Sequence, residues 1–355
     1  GVVYQQLNFV QNKDLGFQKD HIMLLPSTDE IYDRFSDVRM QLMDQPGILD
    51  VTLSSRVPSG RLLDSQGGEY EIGGGMKQID IRVADIHVDF DYMRTFEIDI
   101  IAGRDFDAQR ASDSLQAFIL NKAAVEALGY TSPEDAVGKS FHYGGRQGEV
   151  IGVTEDFHFE SLHQSIAPIV FMITSGRARV LSVKYDPDRK DEVVSFLREQ
   201  WSYFRPGFPF SYQEVAQAYD EQYSNERRLA RLITTFSIMA IVIAAMGLFG
   251  LATFVASRRR KEMGIRKVMG ASVSELLVLR ARNFTLLVGI AFLLAVPVAY
   301  FGMNEWLDEF AYRLDLNIWP FLIGGLVALL IAWVTISYQT LKAARTNPVD
   351  SLRQD

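Results

Sequence analysis

Three long windows of this chain contain no Asp, Glu, Lys, Arg or His, and they constrain its fold more than any other feature. Leu232–Ser257 runs for 26 residues, Asn283–Asn304 for 22 and Leu316–Leu341 for 26. A helix that crosses a bilayer needs about 20 apolar residues. A buried core helix of a soluble protein rarely runs so far without a charge. The windows therefore read as three membrane spans. Residues 1–225 read as a separate folded domain, and residues 226–355 as the membrane domain with its loops.

Lys and Arg in the short loops set the orientation. Between the first two windows stand eight basic residues: Arg258, Arg259, Arg260, Lys261, Arg266, Lys267, Arg280 and Arg282. The loop between the last two holds only Arg313, against Glu305, Asp308, Glu309 and Asp315. The tail adds Lys342, Arg345 and Arg353. Segment 258–282 and the C-terminus are thus expected in the cytoplasm, with the 305–315 loop and residues 1–225 outside it. Trp306, Tyr312 and Trp319 gather at the outer boundary, as interfacial aromatics do. Arg227, Arg228 and Arg231 at the outer end of the first span run against the rule. A helix that rises well above the bilayer before entering it would tolerate them.

Small residues recur at multiples of four at Ala240, Ala244, Ala252 and Ala256, and again at Gly324, Ala328 and Ala332, which predicts close helix packing along those stripes. Pro297 should kink the second span. An intramembrane proton relay or coupled ion usually needs a charged side chain. None of the three windows has one, which argues against an ion pump or secondary transporter.

Before the windows the pattern is mixed. Ser27–Gln45 opens as a capping box after Pro26, carries Ile31, Phe35, Val38 and Leu42 at helical spacing, and stops at Pro46-Gly47. Ile79, Ile81 and Val83 alternate as a strand, the phase flips at Ala84-Asp85, and Ile86, Val88 and Phe90 continue it. Asn121 can cap a helix that Gly129 closes. Glu149–Val153, Ile169–Ile173, Val180–Tyr185 and Phe208–Tyr212 read as strands. Pro187–Phe204 reads as a helix with Val193, Leu197, Trp201 and Phe204 inward. From about Glu214 a helix should run on into the first span. The fold class expected is an α+β extracytoplasmic domain followed by an all-α bundle.

Chemistry is sparse. The chain has no Cys, which removes disulfides and thiolate sites, and only five His. Asp156–His163, DFHFESLH, offers His158, Glu160 and His163. A zinc-protease helix needs its two His four apart on one face, and here they are five apart. A turn whose polar side chains cap backbone groups fits better. Gly138-Lys139-Ser140 resembles the end of a phosphate loop, but Pro133 stands where the first Gly should be. Gly73-Gly74-Gly75 and Gly144-Gly145 read as turns. No catalytic residue, cofactor-binding residue or metal ligand is assigned, and no nucleic acid is expected as a partner.

The segment after the first span holds more. Glu262–Ala271 reads EMGIRKVMGA, with Met263, Ile265, Val268 and Met269 among charges and Gly264 and Gly270 punctuating them. Topology alone asks only for Lys and Arg. The regular interleaving points to a short helix offered to a cytoplasmic partner.

RRRKEMGIRKVMGAS together with the second span resembles the cytoplasmic signature of MacB/FtsX-type ABC transporter permeases. Ala343–Asp355 is similar to that family's closing segment. Tyr4–Phe17, GRDF at Gly103–Phe106 and VIGVTEDFHFESLH at Val150–His163 resemble its MacB-type periplasmic domain. The resemblance implies four spans per unit, so that Gly1–Tyr4 would end a first span not present in this chain. It also implies that this is the second unit of a tandem permease in a bacterial inner membrane. It implies further that a separate cytoplasmic ABC ATPase docks on the loop between spans and that the motion reaches the external domain. Carried over residue by residue, Glu262, Gly264, Ile265, Arg266, Lys267, Gly270 and Ala271 are the ATPase-coupling candidates, and Arg345, Asn347 and Pro348 secondary cytoplasmic contacts. A second permease unit, the lipid bilayer and a periplasmic partner complete the implied surroundings. The implied task is export or extraction of a peptide, lipid, lipoprotein or toxic compound. The alternative is an FtsX-like regulator of a cell-wall hydrolase or other envelope partner. A membrane-tethered sensor is a third reading. It should carry a signalling domain after its last span, and the 14 residues beyond Leu341 are too few for one.

Overall fold

A computed structural model describes residues 2–173, 176, 178–258, 273–308 and 310–344. The chain divides into two compact units, Val10–Ser224 and a second made of Gly1–Phe9 with Asn225–Asp355. The first nine residues thus group with the helical unit rather than with the sheet domain that follows them.

Helix α1 (Val2–Asn12) precedes strand β1 (Ile22–Pro26) and helices α2 (Asp29–Asp33) and α3 (Phe35–Met43). Strands β2 (Ile48–Ser54), β3 (Gly68–Ile72), β4 (Gly75–Gln78) and β5 (Ala84–Val88) follow, then α4 (Tyr92–Phe96) and β6 (Ile100–Gly103). A short α5 (Asp113–Gln116) leads to β7 (Ala117–Asn121), α6 (Lys122–Leu128), α7 (Pro133–Ala136), β8 (Ser140–Tyr143) and β9 (Arg146–Thr154). β10 (Ile169–Ile173), β11 (Val180–Tyr185), α8 (Lys190–Phe204), β12 (Gln213–Glu214) and α9 (Val215–Glu221) complete the domain.

The strands form one sheet in the order β12-β1-β11-β2-β5-β10-β7-β9-β8-β3-β4, with β6 paired to β9 off that path. Only β5–β10 and β7–β9 are parallel pairs. Two apolar clusters hold helices to the sheet. In one, Val38, Leu42, Val193, Leu197 and Trp201 of α3 and α8 cover Met23, Leu25, Val51, Leu53, Leu181 and Val183. In the other, Ala124, Val125 and Leu128 of α6 pack on Phe118, Leu120, Val150, Val153, Val170 and Met172. Phe171 has the opposite parity on β10, and its ring meets Tyr92 at 6.2 Å and Phe157 at 6.1 Å.

Asn121 caps α6 as its position suggests: its side chain accepts from Ala124 N–H, and Gly129 closes the helix at φ 88°. Strands β10 and β11 have the expected bounds, and the four inward residues of α8 are buried. Other expectations are corrected. Ser27–Gln45 is two helices broken at Arg34, whose φ of −113° is not helical. No capping-box bond forms there, because the first helix starts one residue later than expected, with Thr28 at its N-cap and no side-chain cap bond, and Ser27 N–H donates to Arg179 O. Residues 79–83 form no strand; only Ala84–Val88 does. Phe208–Tyr212 is not a strand either. Phe210 and Tyr212 turn inward against the first cluster, and strand pairing is confined to Gln213 and Glu214. The helix from Glu214 stops at Glu221 and restarts at Ser224.

The second unit contains three long apolar helices among the described residues, α10 (Ser224–Arg258), α11 (Val273–Leu307) and α12 (Trp319–Ala344). Each has a stretch long and apolar enough to cross a membrane: Ser224–Leu251, Thr285–Leu307 and Trp319–Tyr338. Helix α11 continues through Pro297. Helix α10 takes in Arg227, Arg228 and Arg231 on its way to the apolar run. Its 35 residues rise about 52 Å, against about 30 Å of hydrocarbon core. The charged turn therefore has room to stand clear of lipid.

Candidate functional site

The coupling candidates Glu262, Gly264, Ile265, Arg266, Lys267, Gly270 and Ala271 lie outside the described residues, as do Arg345, Asn347 and Pro348. What the structure does describe are the helices on either side of that segment. α10 ends at Arg258, whose guanidinium sits 5.4 Å above the Phe254 ring. α11 begins at Val273.

Helices α11 and α12 pack closely at Gly325. A Cβ there would fall 2.5 Å from the Phe292 ring, so the ring can lie on the helix only because the side chain is missing. Ala332 and Ile336 are buried on the same face. Of the expected stripe Ala332 packs, whereas Gly324 and Ala328 are exposed and Gly325 makes the close contact instead. A stripe read from size alone cannot fix the phase of a helix that is apolar all round. Trp333 Nε1 donates to Thr285 Oγ1 at 3.0 Å and ties the two helices near the basic end.

At the opposite end a single side chain makes a clasp. Gln6 of α1 is completely buried. Its Nε2 donates to Tyr312 O at 2.9 Å, and its Oε1 accepts from Leu314 N–H at 2.9 Å. One amide so satisfies two backbone groups of the 305–315 loop, and the helix that opens the chain is fastened to the connection between α11 and α12. Nothing in the sequence marked Gln6, because a lone Gln on a short helix carries no pattern.

In the sheet domain, DFHFESLH is a fastening. Asp156 Oδ1 accepts from Ala123 N–H at 2.9 Å and from Asn121 Nδ2 at 3.2 Å. Asn121 also donates to Ala167 O at 2.9 Å and accepts from Ile169 N–H at 2.7 Å. Glu160 accepts from Leu62 N–H, and Leu162 N–H donates to Tyr223 OH. His163 stacks on the Tyr223 ring at 6.1 Å. His158 is buried, and burial, reinforced by the charge of Lys13, lowers its pKa to about 4. The polar side chains of this turn thus cap backbone groups, and the two imidazoles serve different contacts. Burial raises the pKa of Asp156.

GRDF has a similar task. Gly103 adopts φ +73°, and a Cβ on it would lie 2.3 Å from Ile151 O, which only glycine allows at this strand pairing. Arg104 grips the buried Asp113 with both terminal nitrogens, Nη2 at 2.9 Å from Oδ1. This grip holds the Asp113 carboxyl below its ordinary range. Asp113 also accepts from Asp107 N–H at 3.0 Å. The motif closes the loop between β6 and α5.

One buried pair went unseen in the sequence. Asp85 and His87 lie on β5, with His87 Nε2 3.3 Å from Asp85 Oδ2, and both are almost inaccessible. Alternation marked Ile86 and Val88 as inward. β5 is central and buried on both faces, so the intervening polar residues are interior as well.

The long helices, the missing span charges and the fastened sheet domain can be set beside known proteins. Residues 234–348 match the family model for the FtsX-like permease C-terminal region. That stretch, about a third of the chain, is similar to the C-terminal region of FtsX-like permeases. It is similar to the macrolide export ATP-binding/permease protein MacB of Bartonella quintana (strain Toulouse), 20% identical over 194 residues, covering 52% of this chain and 29% of that protein. It is 25% identical over 277 residues to the uncharacterized ABC transporter permease YknZ of Bacillus subtilis (strain 168), covering 74% of this chain and 68% of YknZ. The chain thus spans less than a third of the MacB relative's length. Among solved structures, the periplasmic region of MacB from Actinobacillus actinomycetemcomitans aligns with TM-score 0.40 at 17% identity, covering 58% of this chain and 94% of that one. The extracellular domain of YknZ aligns with TM-score 0.36 at 18% identity, covering 54% and 98%.

Proposed function

We propose that this permease converts ATP hydrolysis by a separate cytoplasmic ABC ATPase into movement of residues 10–224 outside a bacterial inner membrane. Export or extraction of a peptide, lipid, lipoprotein or toxic compound is the work done. The observation that carries the reading is α10, one unbroken helix of 35 residues. A helix this long transmits displacement along its axis, and about 20 Å of it exceeds the hydrocarbon core. Its basic end leads into the segment Arg258–Arg282, where Glu262, Gly264, Ile265, Arg266, Lys267, Gly270 and Ala271 contact the ATPase, with Arg345, Asn347 and Pro348 beside them. A second permease unit completes the assembly. No catalytic group of the chain's own is needed. The uncharged spans suit a lever better than a charged tunnel.

The test is charge reversal. Arg266→Glu with Lys267→Glu should leave the chain folded in membranes but abolish co-purification of a cytoplasmic ABC ATPase from the source cells; recovery of the ATPase at the unmutated yield overturns the docking role. The lack of Cys makes orientation equally direct. A cysteine placed at Asp308 should react with an impermeant maleimide from outside the cell, and one at Ser274 should not.

A further inference from the structure

Helices α11 and α12 leave a groove between them that the lever does not use. It encloses about 930 Å³ and its walls are almost wholly apolar. Arg282 stands at one end and Leu293 at the other, with Gly289 between them and Trp333 and Ser337 on the facing helix. A Cβ on Gly289 would meet nothing within 4 Å, so the groove is open there. The polar atom of Trp333 is already engaged with Thr285, which leaves the indole ring as an apolar wall.

The dimensions and the charge identify an occupant. From Arg282 to Leu293 the helix rises about 16 Å, the depth of about one leaflet of the hydrocarbon core. The exposed guanidinium of Arg282 sits at the end where headgroups lie, and among the described residues that line the groove it is the one charged side chain. Arginine matches phosphate geometry with its planar fork. We propose that the groove binds one anionic phospholipid from the leaflet on the Arg282 side, with its phosphate on Arg282 and an acyl chain laid along Gly289 against Trp333. The proposal rests on α11 and α12 being membrane spans, a reading that would fail separately if the chain left membranes without detergent.

Native mass spectrometry of the full chain, purified in detergent and supplied with phosphatidylglycerol or phosphatidylcholine, tests it. The unmutated chain should retain one phosphatidylglycerol in preference to phosphatidylcholine. Arg282→Gln should reduce that preference about fivefold, the weight of one basic side chain at an anionic leaflet. Gly289→Trp should abolish retention, whereas Gly302→Trp, on the same helix with surroundings as open, should not. Equal retention by the two tryptophan variants, or no preference in the unmutated chain, overturns the proposal. A photoreactive benzoylphenylalanine at Gly289 decides the occupant even if Gly289→Trp does not fold. An adduct one phospholipid heavier supports the site, and crosslinking to a second copy or another protein overturns it.

Discussion

The sheet domain and the helical unit solve the same problem in opposite ways. In the sheet domain several charged and amide side chains go inside and are paired there: Asp113 with Arg104, Asp156 with Asn121 and Ala123 N–H. In the helical unit the apolar side chains go outside, and Val298 and Leu293 are 75% and 72% exposed. Water punishes an unpaired buried polar group, so the first interior must be wired. Lipid solvates Leu as well as another helix does, so the second unit has little to gain from hiding it and holds together through a glycine contact and a few hydrogen bonds. Damage of one chemical kind should therefore hurt the two units unequally.

The largest effect should come from breaking the Arg104–Asp113 pair. Asp113→Ala leaves a guanidinium without its buried partner and should cost about 4 kcal/mol, seen as a fall in the thermal midpoint of the sheet domain by near-ultraviolet circular dichroism. A midpoint within a degree of the unmutated chain would show that the wiring is ornamental.

Acid should act next most strongly, and through His158. Its folded pKa, about 4, lies below its unfolded value near 6.5. The unfolded chain therefore binds the extra proton between those limits, and the His158 contribution to stability drops as pH falls from 6.5 to 4, by up to about 3 kcal/mol. Asp89 and Asp105, raised by burial to about 6, have the opposite sign: their contribution is present in acid and lost as pH rises through 6. His158→Asn should accordingly tilt the stability profile between pH 6.5 and 4 upward towards acid relative to the unmutated chain. A profile of unchanged slope would remove His158 as a contributor.

The helical unit answers to shape before charge. Gly325→Leu drives a side chain into the Phe292 ring and should cost about 2 kcal/mol, measured as a loss of resistance to denaturing detergent. Gly324→Leu, one residue away on the exposed side, should behave as the unmutated chain does. Equal losses would mean that α11 and α12 do not meet at Gly325. The smallest change should be Thr285→Val, which frees Trp333 Nε1 in lipid and should cost about 0.6 kcal/mol. A loss several times larger would place this hydrogen bond among the wired contacts of the other unit.

What the sequence disclosed follows from which signals are local. The spans were legible because twenty uncharged residues are a signal no tertiary contact can mimic. Asn121, Gly129 and the buried face of α8 were legible because caps and periodicity act within a few residues. The break at Arg34 and the inward turn of Phe210 and Tyr212 were not, because distant partners override the local pattern there. The phase of the last helix was caught at Ala332 but missed at Gly324 and Ala328 for a different reason: in an all-apolar helix only the neighbour tells which side packs, and the neighbour's Phe292 chose Gly325. For the site, the coupling residues come from pattern and resemblance. Gln6 and the pair Asp85–His87 became visible only through contacts hundreds or tens of residues apart in one case and burial of both faces in the other.

The ends of the sheet have a further consequence. On one side β12 pairs over two residues only, beside a strand that closes with Pro26, which has no N–H to offer. On the other, β4 is four residues long and carries Lys77. Neither rim is a template on which a neighbouring molecule could add its own strand. A membrane holding many copies side by side can thus crowd these heads together without seeding a fibril.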